Sequence, residues 1–122
     1  MDKSQVINSF WSGFDLPVYD ENTVPDDATM PYITYSESTG TMDNLVVLNA
    51  SLWYRSTSWA AITRKSEEIA RAIGYNGKIL KFDDGYLYLC QGSPFAQRMA
   101  DPSDDMIRRI YINVSAEFLS AY

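Results

Sequence analysis

At 122 residues the chain has the length of one domain, since single cores usually run to about 100 to 200 residues, and a two-domain enzyme is not expected. It is 46% hydrophobic and 21% charged, the composition of an ordinary globular protein. Sixteen acidic against ten basic residues leave a net charge of -6, so no long-range field draws in phosphate backbones and ordinary DNA or RNA binding is disfavoured.

No histidine is present. The usual general base near neutral pH and the commonest transition-metal ligand are therefore missing, and triads of the Ser-His-Asp or Cys-His kind cannot be built. Cys90 is the single cysteine. It allows neither an internal disulfide nor a thiolate zinc site, a reducing compartment is its simplest setting, and it reads as a half-buried strand residue. Residues 1–14 carry no basic run ahead of an apolar core and do not read as a signal peptide. No apolar run approaches the roughly twenty residues that cross a bilayer. The sequons Asn49-Ala50-Ser51 and Asn113-Val114-Ser115 fall inside strand-like segments and are discounted as glycosylation sites.

Val6, Ile7, Phe10, Trp11 and Phe14 recur at helical spacing, with Asp2 or Ser4 as N-cap, and predict a first helix over residues 2–14. Pro17, Pro25 and Pro31, interspersed with Asp20, Glu21, Asp26 and Asp27, predict a long ordered loop over residues 15–31. Tyr32-Ile33-Thr34-Tyr35 has strand composition and residues 38–41 are turn-rich. Val46, Leu48, Ala50, Leu52 and Tyr54 alternate with polar or aromatic residues and predict one strand with its even-numbered face in the core. Ser56, Thr57 and Ser58 offer capping hydroxyls to a helix reaching Ile73, ended by Gly74. Its apolar stripe is Trp59, Ile62, Ile69 and Ile73, and Arg64 with Glu68 and Glu67 with Arg71 are spaced as ion pairs. Asp83-Asp84-Gly85 between residues 78–82 and 86–91 is a hairpin signal. Residues 92–105 read as a second irregular stretch. Ile110, Ile112, Val114, Ala116 and Phe118 then alternate in a strand of about ten residues.

This order, α-β-β-α-β-β-β with tight turns, predicts a single α+β domain over residues 1–122. Its mainly antiparallel sheet has four or five strands, with two helices packed on one face.

Five acidic pairs invite an acid-base or metal reading: Asp20-Glu21, Asp26-Asp27, Glu67-Glu68, Asp83-Asp84 and Asp104-Asp105. Adjacent carboxylates diverge on strands and helices alike, so adjacency makes no dyad, and Gly85 is not followed by the distal Glu of a calcium loop. No catalytic, cofactor-binding or metal-ligating residue is assigned, and no enzyme activity is expected. Gly74-Tyr75-Asn76-Gly77 reads as a helix cap and turn, since no phosphate-loop pattern surrounds it. Nine tyrosines, five phenylalanines and three tryptophans are numerous, and such residues are enriched in cores and where one protein buries another. The small polar residues Asn49, Ser51, Asn113 and Ser115 stand on the non-core sides of two long strands. Either chance or a covered surface, against another subunit or an enclosed channel, accounts for them.

Leu16-Pro17-Val18-Tyr19, Val24-Pro25, Pro31-Tyr32-Ile33-Thr34-Tyr35, Leu52-Trp53-Tyr54-Arg55-Ser56-Thr57-Ser58-Trp59, the Asp83-Asp84-Gly85 hairpin, Gly92-Ser93-Pro94-Phe95-Ala96-Gln97-Arg98 and Arg108-Arg109-Ile110 together carry a resemblance. Taken in order, they resemble small proteins encoded between the head and tail genes of long-tailed bacteriophages. The chain is most similar to the tail terminator class, also called tail completion or tail-to-head joining proteins. The resemblance implies a structural virion protein of the phage tail and neck, made in the host cytoplasm. It implies a homo-oligomeric, hexameric ring that caps the tail tube, stops its polymerisation and meets the head connector. DNA would pass through the lumen without specific binding, and no membrane and no cofactor are involved. Under this reading Tyr19, Met30, Arg55, Phe95, Arg98 and Met99 are the candidate interface residues. A head-completion protein of the same neck, or a small acidic host-directed adaptor, shares these sequence features.

Overall fold

A computed structural model describes residues 1–40 and 45–120. Helix α1 spans Lys3–Trp11 and a 3-10 turn, Ser12–Phe14, follows it. The Asp2 side chain accepts from the Gln5 N–H at 2.8 Å while the Gln5 side chain accepts from the Asp2 N–H at 2.9 Å, so both ends of a capping box are in place. Val6, Ile7, Trp11 and Phe14 are buried as their spacing predicts. Asp15 ends the turn at φ 60, a left-handed conformation that Asp tolerates better than most residues.

Strands β1 (Val18–Asp20), β2 (Tyr32–Tyr35), β3 (Leu45–Val47) and β4 (Ala50–Arg55) precede helix α2 (Ala60–Ile73), and β5 (Lys78–Phe82), β6 (Gly85–Met99) and β7 (Ile107–Ser120) follow it. The sheet order is β1-β2-β4-β7-β6-β5, with β3 also pairing to β7. Every pairing is antiparallel except that of β1 with β2. The fold is thus α+β with a mostly antiparallel, curled sheet and two helices. The expected count of four or five strands is too low and the expected order incomplete: seven strands occur among the described residues.

The differences have identifiable causes. The expected loop over residues 15–31 contains β1, whose three residues are too few to show alternation and which exists because β2 offers a free edge, Val18 standing opposite Ile33. The expected strand through Val46 and Tyr54 is interrupted at Leu48 and Asn49. There Ser36 exchanges hydrogen bonds with Asn49, its N–H donating to the Asn49 carbonyl at 2.8 Å and its Oγ accepting from the Asn49 N–H at 3.2 Å. Register is kept across the break, Val47 facing Ser115 and Ala50 facing Ile112. Leu48, Ala50 and Leu52 are accordingly all buried, with Val46 and Tyr54 packed at the margin of the core.

Residues 92–105 are not one irregular stretch, because β6 runs on to Met99. Gln91 faces Val114 and Ala96 faces Ile112, so residues 92–95 all stand opposite Asn113 in a wide bulge. Pro94 has no N–H to give the ladder, and a Cβ on Gly92 would come within 2.6 Å of the Asn113 side chain. These residues read as a loop in sequence because Gly and Pro interrupt a strand that resumes beyond them. The turn-rich segment 38–41 is described only to Gly40; Thr41 lies outside the described residues.

The hairpin turns on Asp83 and Asp84, with Phe82 opposite Gly85. Gly85 is required by contact: a Cβ there would sit 2.2 Å from the Leu119 carbonyl oxygen. On α2 the expected Arg64–Glu68 and Glu67–Arg71 pairs are absent from the ion pairs of the described residues. Glu68 instead meets Lys65 at 3.1 Å, and the Lys65 ammonium also donates to the Phe14 carbonyl at 2.9 Å, tying α2 to the turn after α1. At the N-terminus of α2 the Ser58 hydroxyl accepts from the Ala60 N–H, and in its last turn the Ala70 carbonyl accepts from the Gln91 side chain at 3.0 Å.

One core cluster joins Val6, Ile7 and Trp11 of α1, Ile62, Ile69 and Ile73 of α2, and Ile110, Ile112, Val114, Ala116 and Phe118 of β7. Both helices therefore cover the same face, the one to which β7 turns its even-numbered residues. β7 has fourteen residues instead of about ten. Ile112 is fully buried at its centre, so Ile112→Ala should lower unfolding stability by about 2 to 5 kcal/mol, as should Leu48→Ala. Chemical denaturation checks this; a loss under about 1 kcal/mol would mean that the two sites are not core.

Candidate functional site

The sheet face that carries no helix divides into two halves. Cross-strand neighbours on one face of a sheet are in direct contact, and pairing aligns Tyr32, Trp53, Arg109 and Met99 in one outward row and Tyr19, Thr34, Ser51, Tyr111 and Gln97 in the next. Apart from the exposed Gln97 and Met99, these side chains cover one another. The Arg109 guanidinium lies 4.7 Å from the Trp53 ring centre and donates to the Ser51 hydroxyl through both Nε (3.1 Å) and Nη2 (3.0 Å). The Trp53 indole N–H donates to the Thr34 hydroxyl at 2.9 Å. Tyr19 meets Tyr32 edge to face at 5.6 Å, and Tyr32 lies against Trp53. As a result Thr34 and Ser51 are buried although no helix lies over them.

No described element covers the other half. Ile79 pairs with Tyr88 and Tyr88 with Glu117, which faces Leu45; Lys81 pairs with Tyr86 and Tyr86 with Leu119; Val47 faces Ser115. Since Leu87, Leu89, Ala116 and Phe118 alternate with these positions and are buried, Leu45, Val47, Ile79, Tyr86 and Leu119 all point outward. They are between 40% and 69% exposed. Most large apolar side chains of a folded chain are buried, so this group of exposed ones on one face is the surface feature that needs a functional account.

The six candidate interface residues are not brought to one place. Met99 shares the row of Tyr32, Trp53 and Arg109, and Tyr19 stands in the adjacent row. Arg98 points to the opposite face, its guanidinium 4.8 Å from the Trp59 ring centre, with Arg108 at 5.3 Å from the same ring. Phe95, in the bulge, packs against the core margin. Met30 is half-buried just before Pro31, at the far end of the acidic loop. Arg55, at the end of β4, has its charge met within the chain by Asp104 at 2.7 Å.

The exposed apolar group was hidden in sequence. Leu45, Val47, Ile79, Tyr86 and Leu119 come from four strands, and although alternation through Val46 sets Val47 opposite the core face, only strand pairing gathers the five. Two of the four small polar residues find an explanation within the chain: Ser51 lies under Arg109, and Asn113 packs on Gly92. Cys90 is half-buried in β6 as expected. Among the described residues no three Cys, Asp or Glu side chains gather as a metal site requires. No helix of the described residues is long and apolar enough to cross a membrane.

The sequence matches no protein-family model and no curated protein. The Met106 N–H and then the Arg55 guanidinium hold the Asp104 carboxyl below its ordinary value. A carboxylate lowered in the folded state adds stability that is present above its unfolded value, about 3.9, and is lost as pH falls through the folded value. Arg55→Gln should move the Asp104 titration upward, yet leave it below the ordinary value because the Met106 bond remains. Side-chain carbonyl NMR against pH reads this, and an unchanged midpoint would show that the ion pair does not form in solution.

Proposed function

We propose that the protein is a structural subunit of a long-tailed bacteriophage neck, a tail terminator that assembles as a ring, caps the tail tube, stops its growth and meets the head connector. The observation that supports it most is the exposed apolar face of Leu45, Val47, Ile79, Tyr86 and Leu119, which suits a subunit buried by neighbours in an assembly. The resemblance of residues 14–117 to such proteins supplies the identity of the assembly. The role is structural, takes no cofactor and places the protein in the virion. The partners are further copies, six in the ring, the tail-tube protein and the head connector.

Acidity suits this role. DNA crossing a lumen built from chains of net charge -6 finds no net attraction and slides. The same charge opposes assembly: six copies bring together about 36 negative charges. That repulsion is screened over about 8 Å at physiological ionic strength, so rings should form more readily as salt rises.

Sedimentation velocity across a salt series, with negative-stain micrographs of the heaviest species, is the direct test. Rings that gain population with salt, negligible retention of duplex DNA at about 0.15 M salt, and arrest of tube growth by added protein are the expected outcomes. Arg98→Glu should weaken assembly and leave the subunit folded, since Arg98 is exposed and stacks on Trp59 without an ion pair among the described residues. A strict monomer at high concentration, alone and with tail-tube protein, or tight DNA binding would overturn the proposal and favour a monomeric adaptor.

A further inference from the structure

Among the described residues the strand order ends in two edges of opposite charge, and β3, beside β7, leaves a third open side. β5 forms one and pairs only with β6; β1 forms the other and pairs only with β2. On β5, Lys78 and Lys81 are exposed and flank Ile79, itself 61% exposed, and neither lysine takes part in an ion pair among the described residues. On β1 the strand ends in Asp20, and Glu21, Asp26 and Asp27 follow. None of these four carboxylates meets a cation among the described residues either. Arg55 with Asp104, Lys65 with Glu68 and the N-terminal amine with Asp83 are the ion pairs of the described residues, and other charges such as Arg64, Glu67 and Arg71 of α2 also stand outside them. Lys78 and Lys81 thus lie at one end of the sheet, and Asp20, Glu21, Asp26 and Asp27 at the other.

Strand direction makes the two edges compatible. β1 runs with β2, and each later step across the sheet is antiparallel, so β5 points the same way as β1. Copies related by a rotation can then stand edge to edge with their sheets continuing in one sense. Apolar surface is present beside the charges: an open groove of about 390 Å³ next to β5 is lined by Val6, Phe10, Phe14 and Leu80 together with Lys78 and Lys81.

We infer that copies of this chain associate head to tail through the free edges of the sheet, with the lysine-bearing edge of β5 in one copy set against the acidic edge of β1 in the next. Such a contact is heterologous, so it repeats from copy to copy and closes into a ring when the rotation allows. It also answers the charge problem of an acidic oligomer, because local complementarity at the edges opposes the mean repulsion between chains. The inference rests on the ring reading and names the contact that builds it.

Two charge reversals test it, Lys78→Glu with Lys81→Glu on one edge and Asp20→Lys with Glu21→Lys on the other. Each variant alone should self-associate at least roughly tenfold more weakly than the unaltered chain in sedimentation velocity. Mixed one to one, the variants should assemble again, since every junction in an alternating ring is then complementary. The acidic-edge reversal is the sharper arm. It brings the net charge closer to zero, so mean repulsion alone predicts stronger assembly, and the edge contact predicts weaker.

Circular dichroism and thermal unfolding confirm that each variant is folded, and Lys81→Glu with Glu21→Lys serve as single substitutions if a double one is not. If the unaltered chain assembles and both reversals assemble equally well, or the mixture fails to recover, the edge contact is wrong and the ring reading stands. If the unaltered chain never assembles, the ring reading itself falls, and with it the edge contact; the lysines then act as charged guards against strand addition.

Discussion

The whole fold hangs on β7 being paired along both of its edges. β6 takes one side along nearly its full length, and β3 and β4 share the other. A strand held on both sides cannot slip by one residue without turning its entire buried row to solvent. That row, Ile110, Ile112, Val114, Ala116 and Phe118, is what α1 and α2 pack against. The helices are held by this face and by two side chains that satisfy main-chain carbonyls, Lys65 at Phe14 and Gln91 at Ala70. Helix placement follows from sheet register, and the outer face follows from the same register seen from the other side.

How much of this was legible in the sequence depended on how locally each element is determined. Alternation in β7 and β4, the capping residues of α1 and the stripe of α2 are statements about neighbouring residues, and they read correctly. β1 is not local, because three residues become a strand only beside the edge of β2. β6 beyond Gln91 failed for a different reason: Gly92 and Pro94 break the pattern, although Met99 still pairs with Arg109. The expected Arg64–Glu68 pair failed because spacing ignores competition, and Lys65, pinned on the Phe14 carbonyl, takes Glu68.

The candidate surface was the least legible part. Trp53-Tyr54-Arg55 shows one aromatic cluster beside a basic residue, but the arginine that covers Trp53 is Arg109, from another strand. Arg55 itself is turned to Asp104. The exposed apolar half is built from four strands, and although alternation through Val46 and Phe118 turns Val47 and Leu119 outward, only strand pairing brings Ile79 and Tyr86 beside them. The buried partners across the ladder, Phe118 beside Leu87 and Ala116 beside Leu89, fix the parity of β6 there.

The bulge at residues 92–95 changes the phase of β6. Odd-numbered residues face the helices before it, as Leu87 and Leu89 do, and even-numbered residues after it, as Ala96 and Arg98 do. Three surplus residues produce that switch, and they sit outside the ladder. The segment therefore works as a decoupling joint between the hairpin end of the sheet and the arginine end. A residue gained or lost inside it can be absorbed by the loop, leaving Tyr88 and Met99 in their rows. The same change one turn of the ladder away would invert one half of the outer face against the other. The two halves of that face, one covered by its own aromatics and one open, thus meet at a joint in β6 while β7 runs unbroken through both.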